Sequence, residues 1–392
     1  MTENSERYSS VVSGIGLSAI KDMAARAARK EGSVSLAWGL PSFSTPPAIC
    51  TSVAEALQKD ADIGKYTLPD GLPSLREAVA ADHLSRSGQT VSPEANVIVS
   101  AGNMEATKVV LGTLLDRGDE VIVTDPCFAS HLLQIRLSGG KAVFWPMAEE
   151  EGWRADIGAL ASLINERTKA LLLVTPSNPT GTVFPREDLA EIGRLAAQHG
   201  FTVITDDPYS RFVYDTDEQL YHPAAVPELV DNLVYLFTFS KCYAMSGWRL
   251  GYMVVPDWLK PQIMKVHDAT LICPPRISQV AALAALTHPA DHVADFRRTL
   301  ASRRALICER LDRLSHAFSY VRPGGAYYVF PKILSQHRDS YSFALDLLEH
   351  AGVATTPGSA FGPSGEHHLR MAYCVEEGQI NAAFDRMEHF FG

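Results

Sequence analysis

A lysine stands at the end of an apolar, β-like segment and has hydroxyl side chains beside it. The local sequence is Thr238-Phe239-Ser240-Lys241, and Arg249 follows eight residues after the lysine. Desolvation and a nearby cation lower the pKa of a lysine amine, which can then form a Schiff base with a carbonyl. A guanidinium binds phosphate well. The pair therefore indicates a ligand that carries an aldehyde and a phosphate, whereas a lone lysine would more often be a solvated surface residue.

Chemically useful side chains follow three predicted strands in turn. Asn178 follows the predicted strand 169–174, Asp206 follows the predicted strand 201–205, and Lys241 follows the predicted strand 233–239. In a parallel sheet, ligands bind beyond the carboxyl ends of the strands. We therefore expect these three side chains to lie at one edge of a sheet.

Strands alternate with helices over most of the chain. Other predicted helices are 20–31, 72–84, 105–115 and 187–199, and other predicted strands are 97–100, 120–124 and 249–255. This alternation favours an α/β fold with a mostly parallel sheet covered by helices. The small residues Ala101 and Gly102 join strand 97–100 to helix 105–115, an arrangement that presents backbone N–H groups to an anion.

The pattern changes after about Ala285. Predicted helices 296–314, 343–351 and 377–390 are interspersed with predicted strands 325–330 and 368–372. We read this part as a smaller α+β domain. The expected division is an N-terminal segment, 1–45, packed with the small domain, a large cofactor-binding domain, 46–285, and the small domain, 286–392.

Composition narrows the class of protein. The chain has 392 residues, of which 46% are hydrophobic, and a formal net charge of -10. An acidic protein of this kind is a poor match for a nucleic-acid backbone. No apolar stretch approaches the ~20 residues of a membrane span, and residues 1–10 lack the apolar region of a signal peptide. Six scattered cysteines without a CxxC pair favour reduced thiols and a cytoplasmic location.

Several motifs in this order resemble the class I/II aminotransferases, the fold-type I pyridoxal phosphate enzymes. The resemblance spans essentially the whole chain. It rests on Ser177-Asn178-Pro179-Thr180-Gly181, Thr205-Asp206-Asp207-Pro208-Tyr209, the segment from Ser240 to Gly251, Pro357-Gly358-Ser359-Ala360-Phe361 and Leu369-Arg370-Met371-Ala372-Tyr373. It implies an α/β large domain with a mostly parallel sheet, a smaller α+β domain, and pyridoxal 5'-phosphate as cofactor.

The resemblance implies a role for each polar residue near the cofactor ring. Lys241 would hold the cofactor and then act as the general acid/base that moves a proton at the substrate. Asp206 would pair with the pyridine nitrogen and keep it protonated. Asn178 and Tyr209 would donate hydrogen bonds to the phenolic oxygen. Taken alone, Asp206 before a turn and Asn178 before a proline would be ordinary turn residues.

The cofactor phosphate is expected at the helix that follows Gly102. The backbone N–H groups of Asn103 and Met104 would bind it, and Thr238 and Arg249 would add a hydroxyl and a guanidinium. The chain departs from the family here, because relatives often carry a second glycine and a lysine where it has Asn103 and Met104. That lysine helps some relatives to select acidic substrates. Its absence here favours a substrate with a neutral or aromatic side chain.

Further residues match the family at the substrate and at the subunit boundary. Phe128 would stack on the pyridine ring. Arg370 would grip the substrate α-carboxylate with its planar fork. Gly39 would let the backbone approach the substrate, and Trp38 would line the side-chain pocket or simply pack. Tyr66 would reach the phosphate of the neighbouring subunit, which implies a homodimer with shared active sites.

The predicted activity is transfer of an amino group from an L-amino acid to a 2-oxo acid by a ping-pong mechanism. A β-lyase or a cyclising biosynthetic enzyme on the same scaffold would share Lys241 and the cofactor. An aminotransferase-like regulator is a remote alternative, since the resemblance leaves no room for a DNA-binding domain ahead of it. Arg276 is a further candidate, which would reach the distal end of the substrate from the neighbouring subunit. His367 and His368 have no evident acidic companion, so no metal site is expected.

Overall fold

The computed structural model describes five stretches of the chain, residues 7–16, 18–215, 222–288, 291–337 and 339–392. In chain order the strands are β1 Val34–Ser35, β2 Val97–Ser100, β3 Glu120–Asp125, β4 Lys141–Ala148, β5 Arg154–Ala155, β6 Thr168–Val174, β7 Thr202–Asp207, β8 Leu233–Thr238, β9 Gly251–Val254, β10 Phe318–Ser319, β11 Tyr328–Val329, β12 Lys332–Ile333, β13 Val353–Ala354, β14 Thr356–Pro357 and β15 Leu369–Ala372. The α-helices are α1 Ser10–Ser13, α2 Ala19–Arg29, α3 Pro47–Lys59, α4 Pro73–Ser87, α5 Asn103–Leu114, α6 Ala129–Leu137, α7 Ile157–Leu163, α8 Arg186–His199, α9 Lys260–Leu271, α10 Arg276–Thr287, α11 Asp291–Arg313, α12 Ser340–Asp346 and α13 Glu377–Phe391.

A single eight-stranded sheet, in the order β2-β9-β8-β7-β6-β3-β4-β5, forms the centre of the larger part of the fold. Strands β8, β7, β6, β3 and β4 are parallel to one another. Strand β9 runs antiparallel between β2 and β8, and β5 is antiparallel to β4. The predicted α/β class with a mostly parallel sheet is confirmed.

Burial on both faces explains why the central strands read as continuous apolar runs. Every residue of β3, β7 and β8 is buried, and Lys169 is the only exposed residue of β6. Side chains on the two faces of the sheet belong to two separate hydrophobic clusters, and one of these clusters includes residues of helices α5 and α9. Helices that cover both faces of a parallel sheet produce this pattern.

The smaller part of the fold is built from short strands and the helices α11 to α13. Strands β11, β15 and β14 form one antiparallel sheet, and β10 pairs with β12. Strand β1 pairs in parallel with β13, where Val34 lies opposite Val353. This pairing supports the prediction that the N-terminal segment packs with the C-terminal part, and the division at residues 45 and 285 remains a prediction.

Two predicted elements of the C-terminal part are wrong in extent. The predicted strand 325–330 reduces to Tyr328–Val329, because the N–H of Gly325 donates to Gly181 and that of Ala326 donates to Phe212, both outside the small sheet. The predicted helix 343–351 begins earlier, at Ser340, and its second half, Leu347–Ala351, is a π-helix.

Several of the helices and strands that were not predicted lie beside prolines. Helix α3 has Pro47 at its first position and α10 follows Pro275, and neither helix was predicted. Proline is well tolerated at the first turn of a helix, where its missing N–H costs no hydrogen bond. Strand β4 contains Pro146, which obscured its β pattern.

A search of the described helices for a length and hydropathy that suit a bilayer crossing found no candidate.

Candidate active site

The carboxyl ends of β6, β7 and β8 meet at one edge of the sheet, and a cavity of about 500 Å3 opens there. Its walls include most residues that the sequence analysis singled out. These are Trp38, Gly39, Asn103, Met104, Phe128, Asn178, Asp206, Tyr209, Thr238, Lys241, Arg249 and Arg370. Because these residues come from segments far apart in sequence, parallel strand order is what brings them together.

Lys241 follows β8 on the floor of the cavity. Its Nζ donates a hydrogen bond of 2.8 Å to the carbonyl of Gly39. Burial lowers the pKa of this amine to about 8, and the positive charges of Arg370 and Arg249 act in the same direction. The predicted direction of the shift is confirmed, so a much larger fraction of the amine is unprotonated at neutral pH than in a solvated lysine.

Asp206 is the second-last residue of β7, within the strand rather than after it. Its Oδ1 accepts a 2.6 Å hydrogen bond from Asn103 Nδ2, and its Oδ2 lies 3.0 Å from His131 Nε2. The carboxylate is buried and held from two sides, so its position in the cavity is fixed. From the sequence, Asn103 was expected to contribute only its backbone N–H, and neither of these side-chain contacts was predicted.

Gly102 and Arg249 form an anion cradle at the N-terminus of α5. Gly102 has φ of 85°, and a Cβ there would lie 2.8 Å from Arg249 Nη2. Arg249 Nη1 donates to the carbonyl of Ser246 at 2.8 Å, which holds the guanidinium beside the helix. The N–H groups of Asn103 and Met104 belong to the first turn, where no preceding carbonyl of the helix can accept them. The cradle therefore combines free N–H donors, a helix dipole and a guanidinium.

Hydroxyl groups from the end of β8 complete this side of the cavity. Thr238 Oγ1 donates to Ser240 Oγ at 2.9 Å, and both side chains are buried. Ser246 also lines the cavity. Ser240 and Ser246 stand within the segment quoted around Lys241, so their hydroxyls were visible in the sequence as possible phosphate ligands.

Arg370 projects from β15 in the small sheet and is almost completely buried. Its Nη1 donates to Asn178 Oδ1 at 3.1 Å and its Nη2 to the carbonyl of Ala37 at 2.5 Å. The guanidinium carbon lies 4.6 Å from the centre of the Tyr328 ring. Nη1 carries two hydrogens and gives one of them to Asn178, so the guanidinium keeps a donor for a bound carboxylate.

Gly39 is needed because two tyrosines crowd it. A Cβ at this position would overlap the Tyr328 hydroxyl, at a distance of 1.9 Å, and the Tyr327 hydroxyl donates to the Gly39 carbonyl at 3.2 Å. The Tyr328 hydroxyl also lies 3.0 Å from that of Tyr209, and burial raises the pKa of Tyr209 well above its usual value. Tyr209 therefore stays protonated and able to donate.

The outer wall of the cavity is largely apolar and includes one unexpected cation. Phe128 is half-buried and meets the ring of His131 edge-on at 5.2 Å. Trp38 and Met104 are exposed large side chains at the cavity, and Lys21 joins them from α2. Lys21 was not predicted as a site residue, because its only signal in the sequence was a basic residue on an amphipathic helix.

Two predicted residues lie elsewhere. Tyr66 is 77% exposed and does not line the cavity of its own chain. Arg276 begins α10 and forms an ion pair with Asp60, with Nε 2.9 Å from Oδ2. Within the described part of the chain, neither side chain contributes to the site of its own subunit.

Comparisons with known proteins agree with this geometry. A family model described as aminotransferase class I and II matches residues 31–387. An aspartate aminotransferase from Pyrococcus abyssi is 35% identical over 91% of this chain and 90% of that protein, and aromatic-amino-acid aminotransferase 2 of Thermococcus litoralis is 34% identical over 91% of each. The solved structure of aspartate aminotransferase from Thermus thermophilus with maleate matches with a TM-score of 0.90 and 33% identity, over 97% of this chain and 99% of that one. The chain belongs to the class I and II aminotransferase family.

Proposed function

We propose that this aminotransferase binds pyridoxal 5'-phosphate at Lys241 and moves an amino group from an L-amino acid to a 2-oxo acid in a ping-pong cycle. The observation that carries the proposal is the lowered pKa of Lys241, to about 8, in a cavity that also holds the fixed carboxylate of Asp206 and the fork of Arg370. These groups supply a nucleophile, a partner for a ring nitrogen and a carboxylate receptor within one cavity.

The residues at the N-terminus of α5 are suited to bind the phosphate of the cofactor. Gly102 has a positive φ that favours glycine, and Arg249 and the first-turn N–H groups of α5 face the cradle. Thr238 and Ser240 add hydroxyl donors at the same end of the cavity. A phosphate bound here would be neutralised by the guanidinium and the helix dipole together.

The residues around Asp206 fit the ring. When bound, the cofactor withdraws electrons from the substrate Cα through its protonated ring. Asp206 would hold the proton on the ring nitrogen, and Asn103 and His131 keep that carboxylate in place. Phe128 offers a ring face at the cavity, and Tyr209 and Asn178 would donate hydrogen bonds to the phenolic oxygen at the opposite edge.

Substrate binding and proton transfer fall to Arg370 and Lys241. Arg370 would bind the α-carboxylate through the second hydrogen of Nη1, and Tyr328 packs against the guanidinium face. This contact fixes the orientation of the Cα–H bond. Lys241, once its amine is free, would remove the proton from Cα as a general base and return a proton as a general acid.

The outer wall indicates which side chains the cavity could accept. Trp38 and Met104 suit an apolar or aromatic side chain, as the sequence analysis favoured, whereas Lys21 offers a charge for a distal carboxylate. We propose that the cavity accepts both kinds of substrate, one in each half-reaction. The relatives named above as aspartate and aromatic-amino-acid aminotransferases support each half of this proposal.

The half-reaction with a donor alone tests the proposed function. Aspartate, glutamate, phenylalanine and tyrosine are each mixed with the holoenzyme without an oxo acid. We expect at least one acidic and one aromatic donor to convert the cofactor stoichiometrically to its amine form, as followed by absorbance and mass spectrometry. A β-lyase would instead release pyruvate and ammonia from a suitable donor and leave the cofactor in its aldehyde form, and that result would overturn the proposal.

A shared active site is the second part of the proposal, since the exposed Tyr66 lies outside the cavity of its own chain. Tyr66→Ala should weaken cofactor binding about tenfold, because a hydrogen bond to a charged group is lost. Mixing inactive Lys241→Ala chains with Tyr66→Ala chains at limiting cofactor should restore about a quarter of wild-type activity, since half of the dimers are hybrids with one intact site each.

The mixing experiment would give a different result if the active sites were not shared. If Tyr66 served its own chain, no hybrid would contain an intact site and mixing would restore nothing. Tyr8→Ala is a matched control, because Tyr8 is another exposed tyrosine outside the cavity. Alone, this variant should keep wild-type cofactor affinity.

A further inference from the structure

Two histidines and a glutamate of the C-terminal part converge on one point, far in sequence from the catalytic lysine. One ligand atom from each of His337, Glu366 and His367 lies within 4.8 Å of the other two. No acidic companion was expected for His367 or His368, and this expectation is wrong. Glu366 stands beside His367 in the cluster, and His368 Nε2 lies 3.2 Å from Glu149 Oε1.

The hydrogen bonding of His337 leaves a lone pair directed into the cluster. Its Nδ1 lies 2.8 Å from the carbonyl of Ser335, which can only accept, so Nδ1 carries the proton. In the neutral imidazole, the lone pair is then on Nε2. A histidine that ligates a metal shows this arrangement, because a backbone carbonyl commonly fixes its tautomer from the far side of the ring.

The spacing of the two imidazoles suits a shared ion. His337 Nε2 and His367 Nδ1 are 3.3 Å apart. Two nitrogens bound to one tetrahedral ion at about 2.0–2.1 Å are about 3.3–3.4 Å apart. Without an ion, a hydrogen bond between the same two nitrogens accounts for this pair of rings.

The loops that carry the three side chains are held in place by other contacts. Glu366 Oε1 accepts from the N–H of Ser340, the first residue of α12, at 2.5 Å. The carbonyl of His367 accepts from the N–H of Ile333 at 2.7 Å. His367 has φ of 68°, a conformation uncommon for a residue other than glycine. The side chains are therefore presented together before any ion binds.

We propose that His337, Glu366 and His367 form a binding site for a divalent transition metal, with Zn2+ as the best match. Two imidazole nitrogens and one carboxylate oxygen are the donors that Zn2+ prefers, whereas Mg2+ and Ca2+ prefer an all-oxygen site. His367 is exposed and His337 and Glu366 are half-buried, so water can fill the fourth position. The ion would join the loop before α12 to the turn before β15.

Calorimetric titration of the tag-free holoenzyme with ZnCl2 tests the site. We expect one Zn2+ per chain, no heat with MgCl2, and a higher midpoint of thermal unfolding with Zn2+, because the ion binds the folded chain preferentially. His337→Gln and His367→Asn should each weaken binding about tenfold or more, as expected for loss of a metal ligand. Asparagine tolerates positive φ, so the second variant keeps the backbone of the turn.

Two controls separate this site from background binding. His316→Gln removes an exposed histidine in a turn outside the cluster, and Cys50→Ser removes an exposed thiol. Both variants should bind Zn2+ as the wild type does, and all variants should keep wild-type turnover without the metal. The proposal is overturned if the wild type binds no Zn2+, or if the ligand variants bind it with unchanged stoichiometry and affinity.

Discussion

Lys241→Ala should reduce turnover by about 10³-fold or more, because one side chain is lost both as nucleophile and as general acid/base, and general acid/base catalysis alone contributes about 10²–10⁴-fold. Steady-state rates with the best donor and acceptor measure the effect. A small primary amine in the buffer should recover part of the proton transfer in this variant, since the truncated side chain leaves space at the cavity floor. If turnover of Lys241→Ala stayed within tenfold of the wild-type value, the assignment of Lys241 as nucleophile and general acid/base would be contradicted.

The pH dependence of cofactor capture tests the same residue in the wild type. Only an unprotonated amine attacks a carbonyl, so the capture rate of the apoprotein should rise with pH and level off near the pKa of Lys241, about 8. A solvated lysine, with a pKa near 10.4, would give a rate that still rises well above that pH. Borohydride reduction followed by peptide mapping should place the adduct on Lys241. Lys169→Ala, which removes the exposed lysine of β6, is the matched control.

Asp206→Asn should lower kcat about 10²- to 10³-fold with a much smaller effect on cofactor affinity, as expected when one preorganised charge is removed. The amide keeps the size of the carboxylate and can still accept from Asn103, so the change tests charge rather than packing. Without the negative charge, the proton on the ring nitrogen is no longer stabilised.

Single-turnover kinetics with a donor alone measure this effect directly. A cofactor analogue with a methyl group on its ring nitrogen should recover part of the lost rate in the variant, since its positive charge is permanent. Asn103→Ala should give a smaller loss than Asp206→Asn, because it loosens the carboxylate without removing it. Equal kcat for Asp206→Asn and wild type would show that Asp206 has only a structural role.

The sequence predicted the central sheet well because its strands are buried on both faces. An apolar run such as residues 169–174 carries its own signal, and the structure extends it by one residue to β6, Thr168–Val174. Strand β2 has the predicted bounds. Elements that begin at or contain proline, such as α3 and β4, lacked such a signal, because proline usually marks a turn.

The sequence by itself determined which side chains could do the chemistry, since Asn178, Asp206 and Lys241 each stand at or just after the end of a recognisable strand. The tertiary structure alone decided which partners hold them. Asn103 contacts Asp206 from 103 residues away, and the Gly39 carbonyl meets Lys241 across 202 residues. The pairing of His337 with Glu366 and His367 arises in the same way. Local periodicity reports only the face that a residue presents within its own element, whereas contacts between elements depend on how strands and loops pack in three dimensions.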